Sequence, residues 1–250
     1  MMLRKAFLVF FCLVMLVPIL HAAPKASVQY DGVWFLGFNL ERPLFVGTFG
    51  QKFRKAIAYS INRHQLNKQL FGNDQEFFPL IPYGSNDWVS VTRFRHSYEY
   101  SPSQSATLMA EIINTDSLRK KITEMTLLHT DGLQTIETVV FLKKALKEIG
   151  IELKTRQIAM FPLVDWENEL IKGDYDFFLM GFKAENYPNE NSLICPLLES
   201  TSSVNFFRYR NNALDESCRL SQKMDIDLIS QVMDDLPYLP LFYIEAFNNE

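Results

Sequence analysis

The sequence predicts an α/β fold in which a largely parallel sheet is flanked by helices. Three observations in the centre of the chain indicate this: apolar runs of strand length, helical periodicity between them, and short connections. Residues 122–130 read as a strand, 135–150 as a helix and 151–158 as a second strand. A short helix at 162–173 and a strand at 175–182 follow. This alternation is typical of parallel strands joined by right-handed crossovers.

The central helix is the most regular element. Gly150 stands where a C-terminal cap belongs. Helical spacing predicts a buried face made of Ile136, Val139, Val140, Leu146 and Ile149.

The earlier elements are predicted from turn residues and periodicity. Residues 30–50 combine aromatic side chains with glycine and proline, which indicates extended chain. Residues 51–72 read as one helix ending at Gly72. A further helix begins near Pro102, with Ser101 as its expected cap.

The strand at 175–182 is apolar on both faces, which is typical of a parallel strand covered by helices. In open parallel sheets, ligands lie beyond the carboxyl ends of the strands. Those ends are predicted at 129–131, 158–160 and 182–187. Asp174 and Asp176 fall at the opposite end of the strand, where we expect them to serve in a turn and in solvation.

The first residues have the pattern of a secretory signal peptide. Arg4 and Lys5 precede an uncharged apolar run at 6–20, and small residues follow. We expect cleavage after Ala22, which leaves 23–250 as a single lobe in the periplasm or outside the cell. An uncleaved membrane anchor is the alternative, although the run is shorter than the ~20 residues that span a bilayer.

Composition and motifs exclude several classes of function. A net charge of −4 without a strong basic cluster does not suit a nucleic-acid-binding protein. The histidines are scattered, and the motifs of hydrolases, zinc proteases and P-loop proteins are missing. The sequence therefore predicts no catalytic residues, no bound metal and no cofactor.

Two cysteines follow the predicted cleavage site, Cys195 and Cys218. In an oxidising compartment they can form a disulfide that stabilises the fold by roughly 3 kcal/mol. The alternative is two separate buried thiols, and the sequence leaves both open.

Several segments resemble one family in the same order from Tyr30 to Phe247. They are FRKAIAYSINRHQL, IPYG, YSPSQSATLMAEI, LKKALKEIGIELKTRQI, GDYDFFLMGFKAENYPN, NFFRYRNNALDE and LPYLPLFYIEAF. Together they resemble the second half of the family 5 extracellular solute-binding proteins, the peptide and nickel type that feeds ABC importers.

The resemblance implies a type II periplasmic-binding-protein-like lobe that binds a peptide or similar small solute and works with ABC permease subunits. In peptide-binding members, an acidic residue after the last central strand pairs with the ligand's amino terminus, and Glu185 matches it. Phe182 and Tyr187 are expected to add apolar contacts, and His129 stands at a neighbouring strand end.

The chain also departs from the family pattern. Most of the family's first lobe has no counterpart before Tyr30, so the cleft needs a first-lobe polypeptide or a dimer mate. Asn62 replaces an aspartate, and the loop after Glu185 lacks an expected Asp-Pro pair. These departures motivate an alternative function, an exported interaction module that no longer serves transport.

Overall fold

The computed structural model describes residues 30–72, 97–113, 122–183, 190–220 and 224–245. The predicted signal peptide at 1–22 lies outside these ranges.

The described residues form a five-stranded sheet in the order β3–β2–β4–β1–β5. Its strands are β1 (Tyr30–Phe38), β2 (Glu124–Thr130), β3 (Glu152–Ile158), β4 (Phe177–Lys183) and β5 (Tyr238–Glu245). β2 pairs in parallel with β3 and with β4, whereas β1 runs antiparallel to β4 and β5. The sheet is therefore mixed, with two parallel and two antiparallel pairings, and the predicted α/β fold class is confirmed.

Helices cover both faces of the sheet. The helices in chain order are α1 (Gly47–Ser60), α2 (Arg63–Phe71), α3 (Pro102–Ile112), α4 (Leu133–Glu148), α5 (Leu163–Lys172), α6 (Glu190–Leu198), α7 (Asn212–Arg219) and α8 (Ile226–Asp235), with a 3₁₀ turn at Pro43–Phe45. Among the described helices, none is both long enough and apolar enough to cross a membrane.

Alternation along the strands divides the core into two parts. Leu127 and Phe177 belong to a buried cluster with residues of α1 to α4 on one face, whereas Leu128 and Phe178 belong to a cluster with residues of α5 to α8 on the other. Because successive strand residues point to opposite faces, two adjacent apolar residues on β4 are both buried. This explains the two-sided apolar character of β4.

The prediction of a single helix at 51–72 is wrong, because one helix ends at Ser60 and the next begins at Arg63. Ile61 is extended, and the side chain of Asn62 accepts a hydrogen bond from the backbone N–H of Gln65 at 3.0 Å. Asparagine is a strong N-cap residue, so the polar side chain starts a second helix instead of continuing the first.

The predicted buried face of α4 is partly wrong. Val139 and Leu146 are buried, but Ile136 is 39% exposed and Val140 is 62% exposed. The two exposed residues lie beside the stripe that faces the sheet, and threonines at 135 and 138 occupy buried positions in their place.

The glycines at the helix ends behave as predicted. Gly72, Gly150 and Gly173 have φ angles of 69°, 83° and 68°, in the left-handed region that glycine adopts without steric cost. Ser101 precedes α3 but makes no side-chain capping hydrogen bond.

Candidate functional site

The candidate site begins at a fork between two parallel strands. From β2 the chain crosses to β3 on one side and then to β4 on the other, which makes the β2–β4 junction the point where strand order reverses. Pairing between β2 and β4 ends at Leu128 and Phe178, although the strands continue to Thr130 and Lys183. Ligands of open α/β sheets bind at such junctions.

A cavity of about 230 Å³ occupies this fork, and we call it the switch-point cavity. Most of the side chains around it are apolar, and they come from both faces of the sheet. Its lining residues are Trp34, Thr130, Met160, Leu163, Trp166, Glu167, Leu170, Leu179, Met180, Gly181, Val204 and Phe206.

Close packing between β1 and β4 fixes the indole of Trp34. A Cβ atom on Gly181, its register partner, would lie only 2.4 Å from Cε3 of Trp34. On the other side the indole stacks on Phe242, with ring centroids 5.8 Å apart and planes 8° from parallel. Gly181 is thus required because the ring lies against its backbone.

The loop after β3 is held at the cavity by a contact with the end of β2. The backbone N–H of Met160 donates to Oδ1 of Asp131 at 3.0 Å. From there α5 directs Trp166, which is 5% exposed, and the fully buried Leu170 toward the core.

Apart from the indole N–H groups of the tryptophans, the polar side-chain groups of the lining are the hydroxyl of Thr130 and the carboxylate of Glu167. The Thr130 hydroxyl lies 3.5 Å from that of Thr135. Glu167 is exposed at the mouth and makes no ion pair within the described part of the chain. The described residues include no group of three or more His, Cys, Asp or Glu side chains arranged to hold a metal ion.

His129, which the sequence suggests as a ligand contact, does not line the cavity. It is 3% exposed, and strand alternation places it on the face opposite Leu128. Its Nδ1 donates to the carbonyl oxygen of Thr130 at 2.8 Å. Burial lowers the pKa of its imidazole, and Lys143 adds to the effect.

Of the other predicted contacts, Phe182 lies within the described residues. Phe182 is half-buried on the face that α5 to α8 cover and lies two residues beyond Met180, but it is not a lining residue. Glu185 and Tyr187 lie outside the described residues. Their roles stay predictions.

Asp174 and Asp176 lie at the amino end of β4, away from the cavity. Exposed Asp174 pairs with Arg42 at 2.8 Å. Asp176 is less exposed than expected for a solvation residue, since its Oδ2 accepts from the backbone N–H of Thr126 at 2.8 Å. Burial raises the pKa of the Asp176 carboxyl.

Of the two alternatives for the cysteines, the structure has the disulfide. Cys195 on α6 and Cys218 on α7 are bonded, with Cα atoms 5.6 Å apart. Both half-buried residues pack against the core on that face of the sheet.

Sequence reasoning missed most of the cavity wall. Trp34 precedes β4 by more than a hundred residues, and Val204 and Phe206 follow it in an irregular segment. Gly181 gave one usable signal, because glycine inside a strand often marks a close approach.

Comparison with known proteins adds the family. Residues 16–205 match the model of the bacterial extracellular solute-binding proteins, family 5 Middle. The chain is 25% identical over 231 residues to the oligopeptide-binding protein AppA of Bacillus subtilis (strain 168), which covers 84% of this chain and 41% of AppA. It therefore spans about two fifths of the length of that relative.

Solved structures share the fold. The periplasmic binding protein DppA of Helicobacter pylori, in complex with peptide STSA, has a TM-score of 0.70 at 17% identity, over 90% of this chain and 44% of DppA. A peptide-binding protein of a peptide ABC transporter has a TM-score of 0.68 at 20% identity, over 85% of this chain and 98% of that one. The chain belongs to the family 5 bacterial extracellular solute-binding proteins, whose middle-domain model it matches.

Proposed function

We propose that this protein is an extracytoplasmic solute-binding lobe that binds peptides for an ABC importer. Family membership over residues 16–205 carries the proposal. Two similar proteins, AppA and DppA, are named for binding oligopeptides or were solved with a peptide. The switch-point cavity supports it, since it lies at the edge where α/β sheets take ligands.

Export and partners form part of the same proposal. Residues 1–22 serve as a signal peptide that places the lobe, 23–250, in the periplasm or outside the cell. There it delivers solute to ABC permease subunits and acts as a binding protein, not an enzyme. The cavity forms one wall of the cleft, and a first-lobe polypeptide or a dimer mate supplies the second.

In this proposal Glu185 pairs with the amino terminus of the peptide, and Phe182 and Tyr187 contact its side chains. An ammonium group that leaves water needs an opposite charge, because an unpaired buried ion costs several kcal/mol. β4 ends at Lys183 on the carboxyl edge of the sheet, the edge at which the cavity lies, and Glu185 follows two residues later in the sequence.

Isothermal titration with peptide pools of defined length tests the proposal. We expect heat from peptides with a free amino terminus and much less from N-acetylated peptides of the same sequence. Glu185→Gln should weaken binding of the free-amino peptides by about tenfold to a hundredfold, which corresponds to one lost charged hydrogen bond.

The matched control is Glu152→Gln, at an exposed position on the amino end of β3. It should bind like the original chain. If Glu185→Gln keeps both the original affinity for free-amino peptides and the original preference over acetylated ones, Glu185 is not part of the site. No heat from any pool, with or without a candidate second-wall partner, would overturn peptide binding.

A further inference from the structure

We propose that an apolar and acidic patch beside the cavity is the docking surface for the second wall of the cleft, and that this wall is a separate polypeptide with a basic, apolar face. The inference rests on the proposed function, in which the cavity forms only one wall. It goes further by giving the chemistry of the partner and by disfavouring a second copy of this chain.

Residues 131–137 and 160–167 form this surface, which we call the edge patch. One segment runs from the end of β2 into the start of α4, and the other runs from the loop after β3 into the start of α5. The segments meet where the backbone N–H of Met160 donates to Oδ1 of Asp131. They therefore form one continuous surface, although α4 and α5 cover opposite faces of the sheet.

Large apolar side chains are exposed throughout the edge patch. Leu133 is 74% exposed and Phe161 is 78% exposed. Of the eleven exposed large apolar side chains among the described residues, the patch contains six: Leu133, Ile136, Met160, Phe161, Leu163 and Val164. Single apolar residues are normal on a protein surface, whereas a cluster of them with a polar rim marks an interaction site. Met160 and Leu163 also line the switch-point cavity, so the patch adjoins the proposed ligand site.

The border of the edge patch is negatively charged. It carries four exposed carboxylates: Asp131, Glu137, Asp165 and Glu167. None of the four makes an ion pair with a described residue. Residues 131–142 and 159–171 contain no lysine or arginine. Because complementary charge steers association and like charge opposes it, this border fits a basic partner.

Charge decides between the two candidates for the second wall. In a symmetric dimer the same surface is used by both copies, so the carboxylates of one edge patch would approach those of the other. A first-lobe polypeptide with lysine or arginine around an apolar centre would instead pair with the border and bury apolar side chains of both partners. The edge patch therefore favours the first-lobe polypeptide over the dimer mate.

The carboxylates also have a local effect, which must be measured apart from docking. Asp165 lies in the first turn of α5, where a negative charge stabilises the amino end of the helix. If the carboxylates serve only in this way, reversing their charge lowers stability and leaves partner binding unchanged.

Two helical probe peptides test the chemistry of the partner. Both are N-acetylated, about 18 residues long and leucine-rich on one face, and the opposite face carries lysine in one probe and glutamate in the other. Fluorescence anisotropy of the labelled probes measures their binding. We expect the lysine probe to bind at least about tenfold more tightly than the glutamate probe, and added salt to weaken it.

Charge reversal and loss of apolar surface each have a matched control on the same helix. Glu137→Lys should weaken the lysine probe about threefold to tenfold, whereas Glu148→Lys, at the exposed far end of α4, should not. Val164→Asn should weaken it about tenfold, whereas Ile171→Asn, at a position 61% exposed near the end of α5, should not. Urea denaturation of the four variants measures their stability.

Equal binding of the two probes would overturn the docking surface. So would unchanged binding of the lysine probe in folded Glu137→Lys and Val164→Asn. Displacement of the lysine probe by a saturating free-amino peptide would place the probe in the ligand site and would also overturn it. A stable dimer of the original chain that Val164→Asn dissociates would overturn the choice of partner.

These outcomes are distinguishable from failure of the proposed function. The probes are acetylated and are measured without ligand, whereas the peptide pools are titrated without probes. Heat from the pools together with equal binding of both probes would overturn only the docking surface. Binding of the lysine probe to the edge patch without heat from any pool would overturn peptide binding and keep the docking surface.

Discussion

His129 is a buried titratable group whose imidazole makes a hydrogen bond within the fold. It lies one residue before the end of β2, and it donates a hydrogen bond to the carbonyl of Thr130, which lines the cavity. Burial lowers the pKa of its imidazole below the ordinary value of 6.5, so folding favours the neutral form.

This lowered pKa makes stability depend on pH. As pH falls below about 6.5, the unfolded chain takes up a proton at His129 before the folded chain does. The stability from the neutral imidazole is therefore present above this pH and is lost below it. We predict that the urea midpoint falls between about pH 7 and pH 5, and that it falls less in His129→Asn. Identical pH slopes for the two proteins would contradict this assignment.

Single residues also show where local sequence patterns are insufficient. The position of Asp176 at the start of β4 is predictable, but its partner is the backbone of Thr126, 50 residues earlier. Asn62 is different, since its preference for N-caps was a local signal for the helix break.

At the level of elements, the disulfide links two short helices on the face of the sheet that α5 to α8 cover. Cys195 and Cys218 join α6 to α7 over a sequence separation of 23 residues. These helices are each shorter than isolated helices need to be for stability in water, so they depend on tertiary contacts.

We predict that the double substitution of Cys195 and Cys218 by alanine lowers the free energy of unfolding by about 3 kcal/mol, since the unfolded chain gains the freedom of an open loop. Urea denaturation measures the change. The original chain in excess reductant is the control and should approach the variant. A variant as stable as the oxidised original chain would show that the link adds nothing.

The elements most accessible from sequence are those with strong periodicity. β2, β3, β4 and α5 fall close to their predicted positions, because apolar period and turn residues agree there. The buried face of α4 was harder to predict, since buried threonines interrupt its apolar stripe. The antiparallel pairing of β1 with both β4 and β5 depends on long-range contacts that local patterns do not encode.

For the whole molecule, topology was more predictable than the site. The order of strands and helices was enough to locate the carboxyl edge, and Thr130 and Met160 within the predicted strand ends do line the cavity. The rest of the wall comes from segments far apart in the chain, such as Trp34 and Phe206. Only the folded sheet shows that they meet.

The central claim is that ligand binds at the fork between β2 and β4, and amide chemical shifts test it most directly. Titration of the labelled protein with its best-binding peptide should move the signals of Thr130, Met160 and Gly181 at the carboxyl edge. The signals of Glu124 and Glu152 at the amino ends of β2 and β3 should stay in place. Shifts confined to the amino edge, with the fork unchanged, would contradict the account.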